Sequence, residues 1–417
     1  MSAFSPTPTP VLPGYECQLS SDAVAHSSQK LDSTLLDFSH VPPSRLQKLP
    51  STLSETLAYR CTCGFQIIDS SQLPPPSFPP KSDPSSSTHN LVYCMRNNFT
   101  PVSLLTDRFP IANNLIQKTM ESLIIALREV FKADKEHAAV GNLTSCKFVS
   151  SWDEREIFVT FSYSDTISNS SEWLNFFRPL LPLHNITSLT ARFQKQSLSL
   201  GREIKKINDR IVIKGTEIIY EKPEDAFCHP NRETMEKALE WLCDKIGSVK
   251  NGRILEMYCG SGAHTIALAR CVEIEKILCV EIDQRLVDYC NSNIVKNNVQ
   301  DKVKCVKGDA GKISSRLMRR RMKGGVENST SPLDFVERFN CLLVDPPRSG
   351  LDGSVKKLAM SGEFEDMFYV SCGRSALVED LKVLCEVFEV ESLCVTDLFP
   401  RTDSVETLVH LKKKKKE

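Results

Sequence analysis

From residue 223 to the end of the chain, short apolar runs alternate with longer stretches in which apolar residues recur every three or four positions. The runs read as strands buried on both faces, and the periodic stretches read as helices. Helices are predicted over 232–246, 262–272, 284–297 and 375–388, and strands over 254–258, 277–282, 303–307, 341–344, 367–371 and 390–396. Repeated strand-helix units of this size predict an α/β fold on a doubly wound sheet. The texture upstream differs. Residues 59–68 and 156–163 alternate like half-buried strands, 111–131 carries apolar residues at helical spacing without proline, and 211–220 reads as a strand pair turned at Gly215. These segments predict an irregular α+β first domain over 53–222, interrupted by a Pro/Ser-rich loop over 72–90. Residues 1–52, rich in Ser, Pro and Thr with little apolar periodicity, are expected to form a disordered arm. The second domain is expected over 223–411, with a basic tail over 412–417.

A chain of 417 residues, 41% hydrophobic and 25% charged, fits a soluble globular protein of two domains. No apolar run is long enough to span a bilayer, and the N-terminal stretch shows neither the apolar core of a signal peptide nor the arginines of a transit peptide. An intracellular protein is expected, cytoplasmic rather than mitochondrial. A formal net charge of zero argues against a protein that coats nucleic acid, and permits one that grips it through local basic patches such as 316–323 and 412–416. Such runs are more often solvated faces. The sixteen cysteines are diluted and lie mostly in apolar strand-like runs, so buried reduced thiols are expected rather than disulfides. Neither Cys61 with Cys63 nor Cys228 with His229 has a partner pair at zinc spacing, and no run suits an iron-sulfur cluster, so no metal is expected.

The chemistry concentrates at strand ends. The run Cys341-Leu342-Leu343-Val344 stops at Asp345-Pro346-Pro347 because proline cannot continue the ladder, which leaves a carboxylate at the lip of the sheet. Open α/β sheets bind ligands at that lip. The strand at 367–371 ends likewise at Cys372, followed by Gly373, Arg374 and a helix; a helix N-terminus and a nearby guanidinium both favour thiolate over thiol. Gly260 and Gly262 shape a tight turn after the strand that ends at Tyr258. Glu281 ends the next strand, where it can accept hydrogen bonds from ribose hydroxyls, and Asp309 follows the third. A dinucleotide fingerprint needs a third glycine that Thr265 does not supply, so this ordered set resembles that of an S-adenosyl-L-methionine methyltransferase.

Five ordered strings sharpen the likeness: Tyr258 to Gly262, Val280 to Ile282, Val344 to Asp352, Val370 to Cys372, and Phe399 to Glu406. Together they resemble the RNA uridine carbon-5 methyltransferases, and within them the TrmA-type tRNA (uracil-5-)-methyltransferases, because the iron-sulfur cysteines of the ribosomal RNA branch are absent. The likeness runs from about Tyr59 to Leu411 and is strongest after Tyr220. It implies a Rossmann-like class I methyltransferase domain that uses S-adenosyl-L-methionine, joined to an RNA-binding first domain. In this family the cysteine matched by Cys372 adds to carbon 6 of uracil, and the residue matched by Glu406 accepts the carbon-5 proton. Taken alone, Glu406 is an ordinary polar residue beside a final strand. By the same match, Tyr258, Glu281 and Asp345 would contact the cofactor, and His229 stands where relatives commonly have glutamine. Asp309 joins the set from its strand-end position alone. Arg348 would meet RNA phosphate or the surroundings of the target base. Tyr59-Arg60 keeps the family pattern in the first domain. The implied partner is tRNA, with a flipped T-loop uridine as target; a monomer is expected. A ribosomal RNA substrate, or a tRNA-binding folding factor with weakened catalysis, are the alternatives. An amino-methyltransferase would need an aromatic residue after the two prolines, where Arg348 stands.

Overall fold

The computed structural model describes residues 23–51, 57–73, 90–97, 100–103, 107–203, 206–224, 229–322, 332–336, 338–402 and 404–415. These fall into two compact units, one within Leu53–Ile207 and the other formed by Val24–Thr52 with Asn208–Glu417. Most of the Pro/Ser-rich loop expected at 72–90 lies outside the described residues, as do residues 1–22 and Cys228.

The chain enters the second unit first, through helix α1 (Ala23–Leu35) and strand β1 (Leu46–Leu49). It then builds the first unit from β2 (Thr62–Asp69), β3 (Leu91–Asn97), β4 (Thr100–Ser103), α2 (Asn114–Ala133), β5 (Leu143–Ser150), β6 (Ile157–Tyr163), α3 (Ser170–Phe177), α4 (Leu180–Leu183), β7 (Ser188–Phe193) and β8 (Gln196–Gly201). Its seven-stranded sheet, ordered β4-β3-β2-β5-β6-β7-β8, is antiparallel except between β6 and β7. Helix α2 buries Ile116, Met120, Leu123 and Leu127 at helical spacing. It starts later than the predicted 111 because Asn113, in extended backbone, caps it by accepting from the Ile116 amide at 3.0 Å.

The hairpin of β9 (Lys206–Ile213) and β10 (Thr216–Pro223) turns at Gly215 as expected. Beyond Ile207, however, it belongs to the second unit rather than the first domain. The side chain of Asn293 bonds both the amide and the carbonyl of Glu221, at 2.7 and 3.0 Å, which fixes β10 there. The alternation then runs α5 (Arg232–Ile246), β11 (Gly252–Met257), α6 (Ala263–Cys271), β12 (Ile274–Glu281), α7 (Gln284–Lys296), β13 (Val303–Lys307), α8 (Ala310–Met322), β14 (Cys341–Val344), α9 (Gly353–Ala359), β15 (Asp366–Ser371), α10 (Arg374–Leu384), β16 (Phe388–Thr396) and β17 (Glu406–Lys413). Helix α8 escapes sequence reading because its basic residues hide a narrow apolar stripe, Ile313, Leu317 and Met318.

The eight-stranded sheet is ordered β1-β16-β17-β15-β14-β11-β12-β13. Every pairing is parallel except those of β17, which runs against both its neighbours. Leu255, Leu278, Leu342 and Met367 share one core with residues of α1, α9 and α10, whereas α5, α6 and α7 pack on strands outside that core. The expected doubly wound sheet is therefore present. From β11 the chain winds outward to β12 and β13, then crosses to β14 on the other side, which opens a switch-point crevice at the carboxyl ends of these strands.

Two further expectations fail. Residues 23–51 are not a disordered arm: Leu31, Phe38 and Val41 are buried in the core, and β1 pairs in parallel with β16. A few large apolar side chains, diluted among Ser and Pro, suffice to anchor them. Lys412 and Lys413 are not a tail either, since they pair with Asp366 and Phe388 at the end of β17.

Candidate active site

Register brings the chemistry to one lip. Met257 aligns with Val280 and with Val344, Glu281 with Lys307, and Val344 with Tyr369. The residues at or just beyond these strand ends, Tyr258, Glu281, Asp309, Asp345 and Cys372, thus form a row. Because β17 is antiparallel, its first residue starts where its neighbours finish: Glu406 pairs with Thr396, and Thr407 with Ser371 beside Cys372. A residue that composition and periodicity leave unremarkable reaches the thiol through strand direction alone.

The turn after β11 runs through left-handed backbone at Tyr258, Gly260 and Gly262, with φ of 65°, 57° and 88°. At Gly262 a Cβ would also come within 2.8 Å of the Cys290 sulfur, so glycine is required there twice over. The Glu281 carboxylate holds this turn by accepting from the Gly260 amide at 3.0 Å, and also accepts from Ile282 and Asp283 at 2.7 and 2.9 Å. Three of about four acceptor sites on a carboxylate are thereby used, leaving capacity for a hydroxyl. Beside it opens a cleft of about 310 Å³ lined by Tyr258, Glu281, Asp309, Asp352 and the backbone of Gly308 and Gly311. Burial raises the Tyr258 phenol, while the Asp352 amide bonds its oxygen and partly offsets this. Asp309 also caps α8, accepting from the Lys312 amide at 2.9 Å. Apolar walls with a ribose-type acceptor at a glycine turn fit the adenosyl moiety of the expected cofactor.

His229 does not line this cleft. Its ring lies 6.1 Å from that of His264, whose Nδ1 is 4.0 Å from Asp345 and 3.9 Å from Glu256. Burial pushes His229 down to about 4 and His264 down to about 3, so both are neutral. Burial also pushes the Asp345 carboxyl up to about 7, although 27% of its side chain stays exposed.

Just beyond β15, Cys372 is half-buried. Its thiol is raised, first by burial, then by the charges of Glu406 and Asp345, against a lowering by the charge and hydrogen bond of Arg348. The expected push toward thiolate by Arg374 is not found. That guanidinium turns away to pair with Asp37 and to donate to the Ser33 carbonyl at 2.8 Å. Arg348 takes its place because the two loops touch: a Cβ on Gly373 would lie 2.5 Å from the Arg348 carbonyl oxygen. Glu406 is likewise raised well above the usual carboxylate range, by burial and then by Asp345, with Arg348 opposing.

Two supports had not been expected, one buried and one part-buried. Asp380 accepts from the Leu351 amide at 2.8 Å and the Tyr369 hydroxyl at 2.7 Å, and pairs with Lys356 at 2.5 Å, tying the loop after β14 to β15. Its signal is an acid on the apolar stripe Leu377, Leu381 and Leu384 of α10. Lys30 of α1 donates to the carbonyls of Phe399, Thr402 and Ser404 at 3.0, 2.7 and 3.1 Å and pairs with Asp397 at 2.5 Å, fixing the segment that leads into Glu406. Tyr59 and Arg60 belong to the first unit, where Tyr59 packs on the core and Arg60 Nε donates to the Thr62 carbonyl at 2.8 Å.

Known proteins resemble this chain in sequence and in fold. The sequence profile of the tRNA (uracil-5-)-methyltransferase family matches residues 86–414. A tRNA/tmRNA (uracil-C(5))-methyltransferase of Shewanella amazonensis is 29% identical over 391 residues, covering 93% of this chain and 96% of its own. One from Vibrio cholerae serotype O1 is 28% identical over 337 residues, covering 78% and 85%. The crystal structure of a Pyrococcus abyssi tRNA (uracil-54, C5)-methyltransferase in complex with S-adenosyl-L-homocysteine superposes with a TM-score of 0.60 at 17% identity, over 94% of this chain and 86% of that one, and so shares its fold.

Proposed function

Because the chain belongs to the tRNA (uracil-5-)-methyltransferase family, whose members are S-adenosylmethionine-dependent enzymes, we propose that it methylates carbon 5 of a uridine in the T-loop of tRNA, with Cys372 as nucleophile and Glu406 as base. The observation that carries the mechanism is the pairing of Thr407 with Ser371, which sets an acid and a thiol side by side at the switch-point lip. Carbon 5 of uracil is too weak a nucleophile to take a methyl group unaided. Once the Cys372 thiol has given its proton to solvent, addition of the thiolate to carbon 6 moves the ring's electron pair toward oxygen 4 and leaves carbon 5 nucleophilic. The cofactor, when bound, supplies an electrophilic methyl group on a sulfonium. Glu406 then takes the proton from carbon 5; that electron pair restores the double bond to carbon 6 and expels the sulfur. A carboxyl held well above its usual range is the stronger base for this task. Tyr258, Glu281 and Asp309 would hold the adenosyl moiety, with Gly260 and Gly262 shaping the turn, and Asp345 would face the sulfonium beyond His229 and His264. Arg348, exposed at the crevice edge, would meet RNA, and Tyr59 and Arg60 would support the first unit's RNA surface.

Removing the base separates the two halves of the reaction. Glu406→Gln is expected to abolish turnover yet accumulate a denaturation-stable protein-tRNA adduct carrying the new methyl group. Loss of turnover without adduct would assign Glu406 to an earlier step. A tRNA whose T-loop uridine is replaced by cytidine should no longer be methylated; unchanged methylation would move the target elsewhere.

A further inference from the structure

Four thiols in the core take no part in this chemistry. Cys259 follows Tyr258 in the glycine turn, Cys279 lies on β12, Cys290 on α7 and Cys305 on β13. All four are buried, none more than 8% exposed, and their sulfurs lie within 4.8 Å of one another. Cys259 and Cys305 approach to 3.9 Å, as do Cys279 and Cys290. Four sulfurs at about 2.3 Å from one tetrahedral zinc ion are about 3.8 Å apart, whereas a disulfide needs about 2.05 Å. Two of the pairs stand at tetrathiolate spacing, well beyond a disulfide bond, and all four sulfurs lie near enough to close on one ion.

We propose that Cys259, Cys279, Cys290 and Cys305 form a structural site for a thiophilic divalent cation, zinc by preference. Sequence spacing conceals it, because the ligands are single residues on separate elements rather than paired on short knuckles. Four soft sulfur donors enclosed on every side leave no position for substrate or water, which is the mark of a structural rather than a catalytic centre. The first turn of α6 abuts the cluster, since a Cβ on Gly262 would meet the Cys290 sulfur at 2.8 Å. The positive end of that helix dipole favours the net negative charge of a metal-bound tetrathiolate. The ion would join the glycine turn, the strand that ends at Glu281 and the strand that leads to Asp309, so it would fix the cofactor cleft from behind.

The test is metal analysis of the whole chain purified with zinc present. About one zinc per chain is expected, and refolding with cobalt(II) should give thiolate-to-cobalt charge-transfer absorption with the ligand-field bands of a tetrahedral centre. Cys279→Ser and Cys305→Ser should lose the ion and weaken S-adenosylhomocysteine binding. Cys341→Ser, a buried thiol of β14 outside the cluster, should retain both. Wild-type protein that takes up neither zinc nor cobalt overturns the proposal, as does mass-spectrometric detection of Cys259–Cys305 or Cys279–Cys290 disulfides. So does a metal kept by both cysteine variants and lost in His264→Asn, which would assign it to His229, His264 and Asp345. If the cysteine variants fail to fold, the wild-type cobalt spectrum still decides.

Discussion

Burial and neighbouring acids at the lip raise both the Cys372 thiol and the Glu406 carboxyl. The Cys372 thiol is raised, so kcat/KM should climb with pH into the alkaline range, and Arg348 is the lowering influence in contact with it. Arg348→Gln is expected to move that limb to still higher pH, measured as a pH profile of kcat/KM; an unmoved limb would remove Arg348 from the thiol's environment. Burial raises the Asp345 carboxyl to about 7, which leaves it mostly neutral below that. Its charge, and with it any attraction for a sulfonium, therefore develops as pH rises through about 7. Calorimetry should show S-adenosylmethionine binding tighten by about tenfold in all between pH 6 and 8 and level off above that, while S-adenosylhomocysteine, which lacks the sulfonium, changes less. Equal slopes for the two ligands would mean that Asp345 does not face the sulfonium. At this scale the acids at strand ends were legible because proline and glycine announce where a strand stops. Asp380, His264 and Glu256 were not, because only packing turns a polar residue of an apolar stripe toward a functional loop.

Elements carry the rest of the placement. Parallel strands at 303–307 and 341–344 read directly off their apolar runs and match the structure. The antiparallel direction of β17 left no trace in composition, since a run buried on both faces looks the same whichever way it is traversed. Yet that direction delivers Glu406. Helix α1 shows the converse failure, a segment with disordered-type composition that Lys30 binds to three carbonyls ahead of Glu406. Lys30→Met removes those bonds and the partner of Asp397, which is fully buried. We expect it to lower kcat by roughly tenfold or more while leaving cofactor affinity unchanged, since displacing a reacting group costs on this order. A proportionate loss of cofactor binding would instead indicate general unfolding of the unit.

At the scale of the molecule, the chain adds a seven-stranded α+β unit to a doubly wound unit whose sheet is closed on one side by its own N-terminal segment. With no net charge, it is suited to recognising one folded RNA through local contacts rather than coating many, because backbone attraction to nucleic acid scales with the phosphates neutralised. Incubation with S-adenosylmethionine and tRNA containing 5-fluorouridine probes the covalent step at Cys372, because fluorine on carbon 5 cannot leave as a proton does. A denaturation-stable adduct is expected, its RNA-linked peptide containing Cys372, and it should disappear in Cys372→Ala. Wild-type-level methylation of ordinary tRNA by Cys372→Ala, or an adduct mapped to another cysteine, would contradict Cys372 as the nucleophile.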